Sequence, residues 1–288
     1  MMSSGTHHID GARHVADGDL PVTRDLRWGF LSSLLIAVLT GAASIAGLLY
    51  PGRVYPTAEL QHSFLANDIF TLVLGLPILL ISMWLAWRGK PIKIGLIGLL
   101  FWPGALLYGL YNYTAYLFGM PFQGMFFLYL VIVVLSLYTL IGLVTVIDGA
   151  AVRHRLAGHV PEKPGGAVLI LLGAAYALLA TVTIVSNLNA QASLAQSELA
   201  VFVADFFMAP AWVIGGVLLW RREPVGYVGG TGLLFSASML FIGVIGIVLL
   251  QAVQSGVPFP LVDVALLLTM GLICFIPFGF FVRGVLKS

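Results

Sequence analysis

Five carboxylates stand beside or within long apolar runs: Glu59, Asp68, Glu198, Asp205 and Asp263, with His62 and Arg53 nearby. Asp205 precedes Trp220 by 15 residues, which at the helical rise puts it roughly 22 Å from the boundary that Trp220 marks. A carboxylate at such depth in hydrocarbon is expensive unless hydrated, paired or protonated, and where one persists it marks a solute, ion or proton pathway. Asp68 precedes Trp87 by 19 residues, roughly 28 Å from the same kind of boundary and therefore at the far surface. Aspartate at that level has another use, since its oxygens accept from the free N–H groups of a helix N-terminus and favour the macrodipole. Asp68 and Asp263 read as such caps. Asp205 is too deep for one if its helix begins near Leu199.

A second polar patch runs Tyr108-Gly-Leu-Tyr111-Asn112-Tyr113-Thr114-Ala-Tyr116. Tyr108, Asn112 and Tyr116 are spaced by four, so a helix puts them on one face. An interfacial aromatic belt accounts for the tyrosines. It does not account for Asn112, whose amide needs partners in an apolar setting. Asp205, Asn112, Asp68, Tyr108 and Tyr116 are therefore the candidate lining of a polar vestibule.

Other chemistries lack their residues. The six histidines lie outside the apolar runs, which leaves no bis-histidine haem site. No Gly-x-Ser-x-Gly elbow, His-Glu-x-x-His helix or phosphate-binding Gly-Lys-Ser/Thr loop occurs. The single cysteine, Cys274, permits neither an intramolecular disulfide nor a thiolate cage, and in its apolar run it reads as a small core residue. Paired-aspartate proteolysis needs deeper aspartates. The expectation is a non-enzyme without catalytic, cofactor-binding or metal-binding residues. His7 and His8 read as incidental members of a polar tail.

The elements that position these residues follow from composition. Of the 288 residues 60% are hydrophobic and 9% charged, against roughly 45–50% and about 25% for soluble domains. Mean hydropathy is +1.02. The bulk of the chain must face lipid or other buried helices, so the lipid bilayer is its first partner. A net charge of +2 gives no ground for a nucleic-acid partner. The first 27 residues are too polar for a cleavable signal peptide and read as a flexible cytoplasmic tail.

Uncharged runs long enough to span, about 20 residues each, occur at 28–50 and 68–87 with a few preceding residues. Ile94 to Ile147 holds no Asp, Glu, Lys or Arg over 54 residues and suits two crossings broken at Gly119-Met120-Pro121. Further runs at 167–187, 199–220, 225–250 and 260–282 bring the number to eight. None alternates with period two, which excludes a β-barrel. The fold class is an all-α polytopic transmembrane bundle, with a first half at 28–150, a cytoplasmic linker at 151–166 and a second half at 167–288. With the N-terminus inside, 13 of the 14 basic residues fall on the cytoplasmic side, Arg53 being the exception, as retention of Lys and Arg in short inner loops requires.

Pro77, Trp87-Arg88 and Pro91 recur as Pro210, Trp220-Arg221 and Pro224, 133 residues on. Four spans per half keep the same sense, so this duplication is a parallel repeat about an axis along the membrane normal. Small residues four apart, Ala42 and Ala46 or Ala43 and Gly47 in span one, and Gly226 and Gly230 or Gly232 and Ser236 in span seven, mark packed faces. Span seven should lie inside the bundle. Pro77, Pro103, Pro210 and Pro277 fall within spans and should bend them.

The stretch Tyr111 to Phe122, followed by an apolar span, resembles segments of uncharacterised multi-spanning prokaryotic membrane proteins. The resemblance implies a prokaryotic plasma membrane and no particular activity. Two functional expectations stay open. One is a transporter or permease-like protein for a small solute or ion, with an outward-facing vestibule between the halves. The other is a non-catalytic accessory or sensor subunit. A homo- or hetero-oligomer is compatible with either.

Overall fold

The computed structural model describes residues 20–122, 124–190, 195–255 and 261–288. His7 and His8 lie outside them. The order is α1 (Arg27–Leu49), α2 (Pro51–Val54), α3 (Ala58–Phe70), a π-helical turn (Thr71–Gly75), α4 (Leu76–Arg88), α5 (Ile92–Gly119), α6 (Gly124–Val146), α7 (Gly149–Leu156), α8 (Glu162–Ala190), α9 (Gln196–Trp220), α10 (Pro224–Ser255) and α11 (Leu261–Lys287). Eight of the described helical segments are long and apolar enough to cross a membrane, α3, the π-turn and α4 forming one continuous span. The fold is an all-α polytopic bundle. The break between the third and fourth spans falls at Gly119, as the sequence indicates.

The second span starts earlier than its hydropathy implies. It begins at Ala58, with Thr57 as its cap accepting from the Leu60 N–H. Glu59, Gln61, His62, Asn67 and Asp68 lower the local hydropathy without ending the helix. Asp68 is thus more than two turns inside the helix and does not cap it. Asp263, in the first turn of α11 and exposed, keeps a position suited to N-terminal charge. The wide π-turn immediately precedes Pro77, whose ring crowds the carbonyl four residues back and removes a donor. The linker between the halves holds the helix α7, whose cap Asp148 accepts from the N–H groups of Ala150 and Ala151.

Helices α5 and α10 are the most enclosed spans, with 72% and 50% of their apolar windows buried. They pack on each other where Gly104 meets Gly232, so closely that a Cβ on Gly104 would strike the Gly232 carbonyl. The expectation that the glycine-marked seventh span is internal is met. On α1, Ala43 and Gly47 are buried while Ala42 faces out. Helices α8 and α9 meet through Gly166 and Gly216, each against the other's backbone. Within each half consecutive spans are neighbours, and the third span of each half packs on the second of the other: α5 on α9, and α10 on α3. Large apolar side chains such as Leu31, Val38, Phe127, Leu178 and Leu272 stay exposed around the outside, where a bilayer would cover them.

One end of the bundle gathers the basic residues. The Thr23 N–H and hydroxyl both donate to the Val146 carbonyl, and the Asp148 N–H donates to Pro21 O, so the chain entering α1 pairs with the chain leaving α6. Lys93 Nζ donates to Leu286 O at 3.0 Å. Glu162 accepts from the Tyr227 hydroxyl and the Gly158 N–H, with Arg222 at 3.9 Å. Arg53, after α1, belongs to the opposite end.

Candidate functional site

Asp68 lies 1% exposed where four spans converge. The Tyr55 hydroxyl donates to Oδ2 at 2.5 Å and the Tyr116 hydroxyl to Oδ1 at 2.8 Å. The Tyr116 hydroxyl is also 3.2 Å from Phe64 O, on the turn of α3 that precedes Asp68. Beside it, the Tyr113 hydroxyl donates to Thr40 O at 2.9 Å and lies 3.3 Å from Ser44 Oγ. Tyr116 packs 4.7 Å from Phe64, 5.3 Å from Tyr113 and 5.2 Å from Tyr129 by ring centroids. The buried Tyr129 hydroxyl, near Tyr55, has no hydrogen-bond partner within normal distance among the described residues. Gly47 of α1 closes the last side, for a Cβ there would collide with the carboxylate and the Tyr55 hydroxyl.

Local sequence explains how these groups arrive. Pro51 starts the single turn α2, a position where its missing N–H costs nothing. That turn directs Tyr55 inward, and Gln61 Nε2 holds its carbonyl at 2.9 Å. Burial, with the Asp68 charge adding to it, pushes the Tyr55 pKa above its ordinary value, so this hydroxyl stays a donor. Below the cage is a cavity of about 30 Å³ between α1, the π-turn, α5 and α6, lined in part by Thr40, Thr71, Tyr108, Tyr113 and Ser136. That volume and lining suit one or two waters, each needing about 10–15 Å³ by this measure.

Asp205 forms a second site. It is 4% exposed, and the Tyr111 hydroxyl donates to its Oδ1 at 2.9 Å. Tyr176 of α8 shares its surroundings and packs edge-on against Trp212, 5.3 Å between centroids. Tyr111 and Tyr116 are five residues apart on α5, about 140° around and about 7.5 Å along the axis. The two aspartates therefore approach α5 from different sides. The ion pairs among the described residues are Arg27 with Asp25 and Arg222 with Glu162, so neither membrane carboxylate has a basic partner there. No three His, Cys, Asp or Glu side chains converge among the described residues.

No family model, curated protein or solved structure matches the chain.

The five candidates are distributed, not pooled. Asp68 and Tyr116 are together. Asp205 is held by Tyr111, which the four-residue spacing passed over. Asn112 turns back along its own helix, Nδ2 donating to Tyr108 O at 3.1 Å. The Tyr108 ring covers Gly75 of the π-turn, and its hydroxyl faces Gly243 of α10. Glu59 accepts from the N–H and hydroxyl of Ser197, joining the N-terminal ends of α3 and α9. His62 is exposed, and its carbonyl accepts from Gln251 Nε2 at 3.1 Å. Tyr55, Ser44 and Tyr129 escaped sequence reasoning because their partners lie elsewhere along the chain, and Gly47 was legible only as a packing residue.

Proposed function

We propose that this chain is a permease-like protein of a prokaryotic plasma membrane, moving a small solute or ion. In this reading Asp68 and Asp205 hold the exchangeable cation, proton or metal ion, that accompanies turnover. The observation that carries it is the pair of membrane-embedded carboxylates, one on the second span of each half, each held by neutral tyrosine hydroxyls with no basic partner among the described residues. A carboxylate inside a bilayer must have its charge balanced or removed. With no balancing side chain beside it, the balancing cation comes and goes from outside the protein. The basic end faces the cytoplasm by the charge rule. Both termini are then cytoplasmic, and both sites lie in the outer half. No catalytic step is assigned.

The test is cation-driven flux in proteoliposomes. Asp68→Asn and Asp205→Asn each lower flux by about tenfold or more, the equivalent of about 1.4 kcal/mol or more. Asp263→Asn, at an exposed helix start, stays within about twofold. Wild-type flux at both neutralised sites would end the proposal. The closed packing around Asp68 favours a second reading, an accessory or sensor subunit. That reading expects no flux from any solute, and a partner protein retained on purification.

A further inference from the structure

At the basic end of the bundle a groove of about 490 Å³ runs between α1 and α6. Its wall is mainly apolar, from Leu26 and Trp28 to Leu135 and Leu143, and Arg24 stands at its mouth. Arg24 forms no ion pair among the described residues. Its acidic neighbour Asp25 is already engaged by Arg27, through Nε at 3.0 Å and the backbone N–H at 3.0 Å. Among the described residues, therefore, no carboxylate pairs with the cation at the rim of this apolar slot.

A second observation lies deeper in the same groove. Thr139 is 6% exposed and lines it, and its hydroxyl, itself enclosed, has no hydrogen-bond partner among the described residues. In apolar helices a threonine hydroxyl ordinarily donates to the carbonyl one turn back. Thr181, Thr231 and Thr269 of this chain do so at 2.7 Å. Thr139 does not. The Val146 carbonyl that ends α6 accepts from Thr23, next to Arg24. Thr139, seven residues earlier, lies about 10 Å further into the apolar layer. A positive charge at the rim, an unmet hydroxyl below it and an apolar wall beyond repeat the order of phosphate, glycerol ester and acyl chain.

We propose that this groove is a binding site for one anionic phospholipid. The phosphate lies on Arg24, the enclosed Thr139 side chain turns its hydroxyl into the groove to donate to an ester carbonyl, and an acyl chain follows Leu135 and Leu143. Basic pockets between spans on the inner side hold anionic head groups by the same physics. The site does not depend on the permease reading.

Native mass spectrometry of the full chain tests it, with dioleoylphosphatidylglycerol or dioleoylphosphatidylcholine supplied at equal concentration. The expected result is one phosphatidylglycerol retained about tenfold more strongly than phosphatidylcholine. Arg24→Gln removes that preference and Arg24→Lys keeps most of it. Thr139→Val weakens both lipids by about threefold, the scale of one neutral hydrogen bond. Arg221→Gln, at the same end but outside the groove, behaves as wild type. Melting in lipid-free detergent checks that each variant is folded, and the gain in melting temperature on adding phosphatidylglycerol is a second readout. Equal retention of the two lipids overturns the proposal, as does Arg24→Gln retaining lipid like wild type or Arg221→Gln losing as much. Displacement by inorganic phosphate would assign Arg24 to a free anion and also overturn it.

Discussion

Adding one methyl group at Gly47 tests whether the tyrosine cage around Asp68 is as tight as described. A Cβ there would lie 3.1 Å from Asp68 Cγ and against Oδ2 and the Tyr55 hydroxyl. Neither group can easily retreat. Asp68 is on a continuous helix, and Tyr55 is fixed by Gln61 at its carbonyl and by the carboxylate at its hydroxyl. Overpacking of this kind costs about 1–3 kcal/mol. Loosening the charged hydrogen bond adds about 1.5–3 kcal/mol. Replacing helical glycine by alanine returns about 1 kcal/mol. The net loss is about 1.5–5 kcal/mol, or roughly 3–20 °C in melting temperature for a chain of this size. Gly41→Ala is the control. It has the same propensity gain, and its Cβ meets only the flexible end of Leu76 at 3.3 Å. Both are read by thermal unfolding in detergent, followed by tryptophan fluorescence. If Gly47→Ala melts with or above Gly41→Ala, the cage is not closed on the α1 side and the description of Asp68 as enclosed is wrong.

Tyr116→Phe leaves Asp68 Oδ1 without its donor and should destabilise by about 1–3 kcal/mol, whereas Tyr129→Phe removes a hydroxyl that has no partner among the described residues and should be neutral or better. Thermal unfolding of the pair reads the difference. The raised Tyr55 pKa contributes stability that is complete below about pH 10 and falls above it, by up to about 1.4 kcal/mol per pH unit. Tyr55→Phe should flatten the alkaline limb of the melting profile. With Cys274 replaced by alanine, cysteine at the exposed Gly52 should react with an impermeant thiol reagent on intact cells, and cysteine at Gly158 should react only after the membrane is opened. Labelling at position 158 in intact cells would invert or break the topology. Gln191, a natural probe of the outer side, lies outside the described residues. Cutting the chain at the exposed Gly158, between α7 and α8, and co-expressing the two pieces should return a bundle that purifies as a complex, held by α5 and α10. Recovery of either piece alone would contradict the interlocked packing of those spans.

The spans, the basic end and the buried seventh span were legible because each rests on a local signal: run length, lysine and arginine spacing, or glycines four apart. The start of the second span was not. Six polar residues from Glu59 to Asp68 look like a loop to a hydropathy window, and only Asn67 and Asp68 among them are buried against other spans. Asp68 was misplaced for the same reason. Its partners Tyr55 and Tyr116 are ordinary tyrosines until the fold aims them at one carboxylate. Asp205 was legible from depth alone. Its partner Tyr111 was not, because the four-residue spacing of Tyr108, Asn112 and Tyr116 drew attention to a different face of α5. Asn112, the residue that an aromatic belt leaves unexplained, satisfies its amide on its own helix.

The pairing of residues 21–23 with the end of α6 carries a consequence for biogenesis. Ribosomes deliver the chain from the N-terminus, so the segment before the first span emerges long before Val146 and Asp148, the groups it bonds to. Until the fourth span is inserted, that segment has only water or lipid head groups as partners. Its docking then adds backbone bonds beside the direct packing of the first span on the fourth. A deletion of residues 20–23 should therefore act early, exposing the first span to membrane quality-control proteases during synthesis, while leaving any molecule that does mature intact at the tyrosine cage near the opposite end.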